Sequence, residues 1–154
     1  MADQQTVVME SIELVYPNFQ GKEGLYNRAG DRNFCVALPR GVAEAMSRDG
    51  WNVKEGKVRE DGDEHRFTLE VAVSFKVRPP KIWMITSRGR TGIGETEVDL
   101  LDFVEFKNVD VILNPYSWDI NGKQGIKAYL GTMFATINED QLELKYSDVP
   151  ISNA

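Results

Sequence analysis

The sequence predicts a mainly β domain, and three observations on the 154-residue chain support this. Apolar and polar residues alternate over much of its length, which is typical of strands with one buried face. Strands and helices do not alternate regularly, which argues against a parallel doubly wound sheet. Helical stretches are short and few. We therefore expect about six or seven strands in a small antiparallel barrel or sandwich, with one or two short helices.

The clearest strand is FTLEVAVSFKV, residues 67–77. Every odd-numbered position in it is apolar, and every even-numbered position except Ala72 is polar or charged. This period of two predicts a long, half-buried strand. Pro79 and Pro80 end it, because proline has no N–H to donate to a ladder.

The segment KIWMIT, which follows the prolines, restarts as a strand. If Ile82 and Met84 face the core, then Lys81, Trp83 and Ile85 face outward, because successive side chains of a strand point to opposite sides.

The same patterns place the other elements. Further strands are predicted at 7–16, 33–38, 51–58, 106–118 and 125–137. The last two flank Asp119-Ile120-Asn121-Gly122, and Asn-Gly is a strong hairpin signal. Helices are predicted at 41–49, ending at Gly50, at 96–103 and at 139–146. Loops rich in glycine or charge are expected at 21–30, 59–65 and 87–94.

Composition bounds the class of protein. The length suits one domain. A formal charge of −6 argues against coating duplex DNA through overall charge, although a local basic groove is compatible with it. No apolar run approaches the roughly 18–20 residues of a membrane span, and no secretion signal is visible at the start. The single cysteine, Cys35, lies in the apolar run NFCVALP, so we expect a buried thiol in a reducing cytoplasm.

Several kinds of chemistry lack the residues that they need. His65 is the only histidine and lies in an acidic loop. A Ser–His–Asp or Cys–His arrangement would need it as a general base within a formed active site, which a solvated loop does not provide. One cysteine and one histidine do not frame a zinc site. Asp61, Asp63 and Glu64 lack the calcium-loop pattern, and GRTGIGE lacks the phosphate-binding glycine motifs. We expect no catalytic residue, metal or cofactor.

Charge is segregated along the chain. Residues 71–94 contain cations and no acidic residue, whereas residues 95–110 are strongly acidic. The cations are interleaved with aromatic residues on predicted strands, a combination that suits unpaired nucleic acid, because bases stack on rings while cations neutralise phosphates. Two constellations carry this pattern: Lys76, Arg78, Lys81, Trp83, Arg88 and Arg90, and then Tyr116, Trp118, Lys123, Lys127 and Tyr129.

Each aromatic residue has an alternative place in the core. Trp83 is as suited to the core as to a stacking platform, since tryptophan is highly buried on average. Trp51, Phe34 and Cys35 are assigned to the core. For Tyr116 and Trp118, packing against the hairpin turn is as plausible as stacking on bases. The basic run by itself is compatible with a merely solvated strand face.

Three segments of the chain resemble single-stranded DNA-binding proteins encoded by tailed bacteriophages. They are NFQGKEGLYNRAGDRNFCVALP, RPPKIWMITSRGRT and NPYSWDINGKQGIKAYLGTMFATINEDQLELKYSDV. The resemblance extends from Val8 to Asp148. It implies an OB-fold, a five-stranded antiparallel Greek-key barrel with extra hairpin strands. It also implies a non-enzymatic protein of the bacterial host cytoplasm that coats single-stranded DNA, without strong sequence preference, in phage DNA replication, recombination and repair.

The resemblance also implies roles for parts of the chain. Residues 1–138 would form the DNA-binding domain, and residues 139–154 a mildly acidic C-terminal helix or tail. In the family such tails recruit replication or recombination proteins and compete with DNA for the groove. Here Lys145 interrupts the acidic residues and the terminal VPISNA lacks an aromatic residue, so the tail departs from the strong form of that pattern.

Two other readings remain open from the sequence. One is a β-rich phage assembly or interaction module, in which the segregated charges form a protein interface. The other is a small nuclease that uses Asp99, Asp102 and Asp110 with metal ions. Such chemistry needs carboxylates that converge on ions about 4 Å apart, and the sequence shows no such convergence.

Overall fold

The mainly β prediction is confirmed by the computed structural model, which describes residues 6–25, 27–56, 67–76 and 78–139. These ranges contain one α-helix, α1 (Arg40–Arg48), and one short 3₁₀-helix (Val98–Asp102). Their strands are β1 (Val7–Met9), β2 (Glu13–Asn18), β3 (Arg32–Leu38), β4 (Val53–Glu55), β5 (Phe67–Val73), β6 (Lys81–Thr86), β7 (Gly89–Ile93), β8 (Phe106–Ile120) and β9 (Lys123–Ile137).

The strands form one mixed sheet. The main path of pairing is β1–β8–β9–β5–β3–β2, with β4 beside β5, β6 beside β9, and β7 beside β6. Most pairs are antiparallel, but β9 runs parallel to both β5 and β6. The expectation of a wholly antiparallel sheet was therefore wrong. Both strands reach β9 through crossover connections rather than hairpins, and crossovers join parallel strands.

The predicted strand at 7–16 is broken in the middle, so that its two halves pair with different neighbours. β1 pairs with β8, and β2 pairs with β3. Ser11 lies between them with a φ of 51°, and its N–H donates to the Asp110 carboxylate at 2.7 Å. β1 and β2 thus end the pairing path on opposite sides, although only three residues of chain separate them.

The core lies on the face that the alternation predicted. Leu69, Val71 and Val73 of β5 are buried, as are Phe34 and Val36 of β3. Trp51 is also buried, as expected, and forms an isolated bridge with Ile126 of β9.

The assignment of Cys35 to the core was wrong. Its side chain is only half-buried, because it occupies the strand position between the inward-facing Phe34 and Val36 and so points to the opposite face.

Helix α1 ends where the sequence predicted. Gly50 has a φ of 99°, its N–H donates to the Ser47 carbonyl at 3.1 Å, and the Trp51 N–H donates to the Met46 carbonyl at 3.0 Å. This pair of bonds is a Schellman C-cap, which favours glycine at the left-handed position. The helical spacing of apolar residues predicts a buried face of Val42, Ala45 and Met46. In the structure Ala43 and Met46 are buried, whereas Val42 and Ala45 are exposed.

The segment expected to be a loop at 87–94 is largely strand β7, which pairs with β6. Ile82 lies opposite Ile93 at one end of this pairing, and Thr86 lies opposite Gly89 at the other. Its glycines and arginines gave little β propensity, but the edge of β6 provides a template that overrides it. In the other predicted loop, 21–30, the described residues 21–25 and 27–30 lie outside the strands and helices. The helix expected at 96–103 is the shorter 3₁₀-helix.

The hairpin of β8 and β9 is the longest element of the sheet. Asn121 and Gly122 form its turn with φ values of 53° and 81°, which is the left-handed conformation that Asn-Gly adopts in two-residue hairpins. Each strand extends two residues beyond the predicted limit toward this turn.

Some predictions lie outside the described residues: His65, Asp61, Asp63, Glu64, the loop at 59–65, the end of the predicted strand at 51–58, and the C-terminal segment beyond Glu139. In the described ranges, no helix is long and apolar enough to span a membrane.

Candidate nucleic-acid interface

Strand β9 organises the candidate interface. Its buried residues, among them Ala128, Leu130 and Met133, face the core. The side chains between them face the other way, and this outer row contains Lys127, Tyr129, Thr132 and Phe134. The register with β8 shifts between the pairs Ile112–Thr132 and Leu113–Leu130. Gly131 is the extra residue of this bulge. Because of it, Leu130 and Met133 both face the core although they are three residues apart.

One group of outer residues lies toward the hairpin turn, and we name Tyr116, Lys127 and Tyr129 the tyrosine cluster. Tyr116 of β8 pairs with Lys127. The rings of Tyr116 and Tyr129 meet edge to face, with centroids 5.9 Å apart. Lys127 Nζ lies 5.2 Å from the centre of the Tyr129 ring. Tyr116 is 58% exposed, so this cluster presents rings and a cation to solvent.

Trp118 does not extend this group outward. It pairs with Gly125, and a Cβ built on that glycine would lie only 2.5 Å from the indole. The indole therefore rests directly on the β9 backbone, beside Asn52. For Trp118, packing is the observed arrangement.

A second group lies at the other end of β9, and we name Trp83, Arg90 and Phe134 the tryptophan cluster. Trp83 of β6 pairs with Phe134. The guanidinium carbon of Arg90 lies 4.7 Å from the centre of the Trp83 ring. Gly92 pairs with Trp83, and a Cβ there would lie 3.6 Å from the indole. Trp83 is half-buried on the outer face, as the alternation in KIWMIT predicted, rather than in the core.

The two clusters share one face because β5 and β6 pair with successive parts of the same edge of β9. β5 pairs with Ala128 and Tyr129, and β6 pairs with residues 132–136. Tyr129 and Phe134 are five residues apart, a separation of about 15 Å along a strand. The sequence pattern gave no sign that the two groups are neighbours. In the sheet, the tyrosine cluster and the tryptophan cluster lie on one surface.

The remaining predicted cations are exposed. Lys81 pairs with Thr132 at the start of β6, Arg88 lies in the β6–β7 turn, and Lys123 starts β9 beside the hairpin turn. Lys76 and Arg78 lie in the connection between β5 and β6.

The acidic residues of the nuclease reading have structural partners. Asp99 pairs with Arg32 at 3.7 Å. Asp102 accepts hydrogen bonds from the N–H groups of Phe19 and Gln20 at 2.8 and 2.9 Å, and Asp110 holds Ser11. Among the residues that the structure describes, no three His, Cys, Asp or Glu side chains converge as metal ligands would.

Two residues of this face were not predicted from the sequence. Phe134 belongs to the tryptophan cluster, and Asn114 of β8 pairs with Tyr129. The alternation of β9 would have identified Phe134 as outward-facing only if the bulge at Gly131 had been foreseen. Glycine inside a strand is the one available signal of a bulge.

Cys35 faces the same side of the sheet from β3. It pairs with Glu70 of β5. Partial burial raises the pKa of its thiol, the negative charge of Glu70 raises it further, and the positive charge of Lys54 acts in the opposite direction. The thiol is therefore neutral and weakly nucleophilic near pH 7.

Comparisons with known proteins identify one family and similar folds. The profile described as "Putative phage ssDNA-binding domain" matches residues 2–154. Among solved structures, the single-stranded DNA-binding protein from bacteriophage Enc34 in complex with ssDNA is 12% identical, with a TM-score of 0.56 and 88% of each chain covered. Another structure of that protein is 12% identical, with a TM-score of 0.53, covering 93% of this chain and 88% of the other.

No curated protein sequence matches the chain. The structural likeness supports the fold, and the profile spans all but the first residue. The chain therefore belongs to the phage single-stranded DNA-binding family.

Proposed function

We propose that this protein binds single-stranded DNA across the outer face of β9, with the tyrosine and tryptophan clusters as its two stacking platforms. The observation that carries the proposal is that each cluster combines outward-facing rings with a cation held against one of them, Lys127 at Tyr129 and Arg90 at Trp83. Unpaired bases have flat faces and a charged backbone, so a binding surface needs both groups close together.

Stacking supplies the attraction to bases. A base stacked on an aromatic side chain contributes about 1–3 kcal/mol and does so with little regard to sequence, since every base has a π-face. Duplex DNA hides these faces, which favours single strands. The separation of about 15 Å along β9 between the clusters leaves room for intervening nucleotides.

Phosphate neutralisation supplies the rest. Lys127 and Arg90 lie within the clusters, and further cations surround them at Lys81, Arg88 and Lys123. Acidic residues elsewhere on this chain of formal charge −6 limit adhesion to other anions. Binding should therefore weaken as salt is raised.

We also propose that the sheet is an OB-type barrel. Support comes from the cyclic order of pairing: β1 and β2 are halves of one bent strand that pairs with β8 at one end and β3 at the other. Adding β9 and β5 completes a circuit of five strands with a single parallel step, between β5 and β9. The β6–β7 hairpin is then an addition to this barrel.

The role that follows is that of a non-enzymatic coating protein in phage DNA replication, recombination and repair, acting in the cytoplasm of the host. Family membership supports this role. Recruitment of replication or recombination proteins through residues 139–154 is the corresponding proposal for the C-terminal segment.

The test is an electrophoretic shift assay with labelled single- and double-stranded oligonucleotides of one sequence, with and without Mg²⁺. We expect a shift that is selective for single strands and indifferent to Mg²⁺. Cleavage in Mg²⁺ would instead support an enzyme, and the absence of any shift would support a protein-interaction module. Variants Tyr129→Ala and Phe134→Ala should each weaken the shift, whereas Val42→Ala on the exposed side of α1 should not.

A further inference from the structure

The space between the two aromatic clusters is occupied by a polar side chain. Asn114 follows the buried Leu113 on β8 and therefore faces outward. It pairs with Tyr129 of the tyrosine cluster. Its carboxamide lies over the bulge at Gly131, since a Cβ on that glycine would lie 2.9 Å from Asn114 Nδ2. The amide is thus held against a residue of β9 that has no side chain.

This amide has hydrogen-bonding capacity to spare. Its side chain is partly exposed, and among the described residues no hydrogen bond is formed by its carboxamide. Asn108 on the same strand, by contrast, accepts a hydrogen bond from Ser11 Oγ at 2.8 Å. Asn114 therefore presents a donor and an acceptor to whatever covers the face.

We propose that Asn114 is a base-edge contact, which hydrogen-bonds to a nucleobase lying between the tyrosine and tryptophan clusters. This inference rests on the proposed function. A carboxamide offers a donor and an acceptor side by side. Every base presents both kinds of group along its edges, so the amide adds affinity for any base and keeps binding tolerant of sequence. Gly131 is the position that leaves room for it.

The proposal is tested first with Asn114→Leu, which keeps the approximate volume and removes the hydrogen bonds. Affinity for oligo(dT), measured by fluorescence anisotropy, should fall about fivefold, the equivalent of one net hydrogen bond. An oligonucleotide with abasic sites should bind the wild type and the variant equally. Asn138→Leu, the same change at an exposed position just beyond β9, is the matched control and should have no effect.

The second variant changes the chemistry instead of removing it. Asn114→Asp leaves only acceptors, which suit the exocyclic amine of cytosine and oppose the O4 of thymine. The ratio of affinities for oligo(dC) and oligo(dT) should therefore rise severalfold over the wild-type ratio. A structural role for Asn114 would leave that ratio unchanged.

The outcomes separate the two proposals. If the wild type binds no single strand, the proposed function is wrong. If the wild type binds and Asn114→Leu binds oligo(dT) equally well, the base-edge contact is overturned and the proposed function stands. A loss that persists on abasic strands, or an unchanged dC to dT ratio in Asn114→Asp, also overturns it. Gly131→Ala should reproduce the loss on oligo(dT), and the double variant with Asn114→Leu should lose no more, because both act on one contact.

Discussion

The guanidinium of Arg90 covers the ring of Trp83 at 4.7 Å from its centre. Both residues project from the outer face of the β6–β7 hairpin, where the pairing of Ile85 with Arg90 makes Arg90 a diagonal neighbour of Trp83. The cation thus occupies a surface that a base would use for stacking. Arginine is itself planar and stacks well, so the pair offers one platform with a charge built into it.

We expect Trp83→Ala to lower the affinity for single-stranded DNA by about 1–3 kcal/mol, because it removes a stacking surface. The side chain is half-buried on the outer face, so the fold should persist. Anisotropy titration with labelled oligo(dT), accompanied by thermal unfolding, measures both effects.

The matched control for this experiment is Trp51→Ala, which removes an indole that is only 7% exposed. It should cost several kcal/mol of unfolding free energy, of the order of 3–5 for a buried aromatic residue. Unfolding of the Trp83 variant to the same degree would show that Trp83 acts as a core residue, against the proposed platform.

We expect Arg90→Gln to flatten the salt dependence of binding. Each phosphate neutralised on a single strand contributes a slope of about −0.7 in log K against log salt, so losing one cation should reduce the slope by about that amount. The control is Arg48→Gln, since Arg48 lies on α1 beside β4 and Phe67, in a different cleft. Equal slopes for the wild type and Arg90→Gln would place this arginine outside the phosphate path.

We expect Gly125→Ala to destabilise the protein by about 1–3 kcal/mol through overpacking. The added Cβ would lie 2.5 Å from the Trp118 indole and 2.6 Å from the Asn52 side-chain oxygen. Gly41→Ala is the opposite case, because it adds a Cβ to open space on α1 and should stabilise by about 0.5–1 kcal/mol. Chemical denaturation of both variants measures the difference, and a neutral Gly125→Ala would mean that Trp118 is free to move off the strand.

We expect Asp102→Ala to destabilise the fold without weakening DNA binding. Its carboxylate accepts the N–H groups of Phe19 and Gln20, and partly buried donors that lose their acceptor cost about 1–3 kcal/mol. Denaturation and oligo(dT) titration of one preparation give both numbers. A selective loss of DNA binding, or loss of a Mg²⁺-dependent cleavage, would instead support the alternative that the protein is a nuclease.

We expect the thiol of Cys35 to react slowly. Partial burial and Glu70 raise its pKa, so the thiolate is scarce until the pH rises above the ordinary range for a thiol. Alkylation by iodoacetamide should be slower in the folded chain than in the urea-unfolded chain at pH 8. It should reach half its maximal rate at a higher pH when folded, and a fast reaction of the folded chain at neutral pH would contradict this.

The sequence predicted the strands best where one face is fully buried. The Asn-Gly signal at 121–122 agrees with the β8–β9 hairpin, and the alternation from residue 67 onward agrees with β5, because burial of one face and turn conformation depend on local sequence. The strand predicted at 67–77 is nevertheless too long, since β5 ends at Val73, well before the prolines. β7 was missed, because a glycine-rich edge strand forms on its neighbour rather than through its own propensity.

The site was predicted residue by residue and not as a surface. Trp83, Tyr116 and Tyr129 were identified from residue type and alternation, and they do face outward or half outward. Their common face could not be deduced, because it depends on β5 and β6 both pairing in parallel with β9. Such contacts join segments that are distant along the chain, and alternation within a strand carries no information about its neighbours.

The bulge at Gly131 sets how the two halves of β9 are phased. A strand without that extra residue would send either Tyr129 or Phe134 to the opposite side, since a shift of one position reverses every side chain. Deleting Gly131 would therefore split the paired platforms between water and core, and a change of one residue in length would be more harmful here than most changes of residue type.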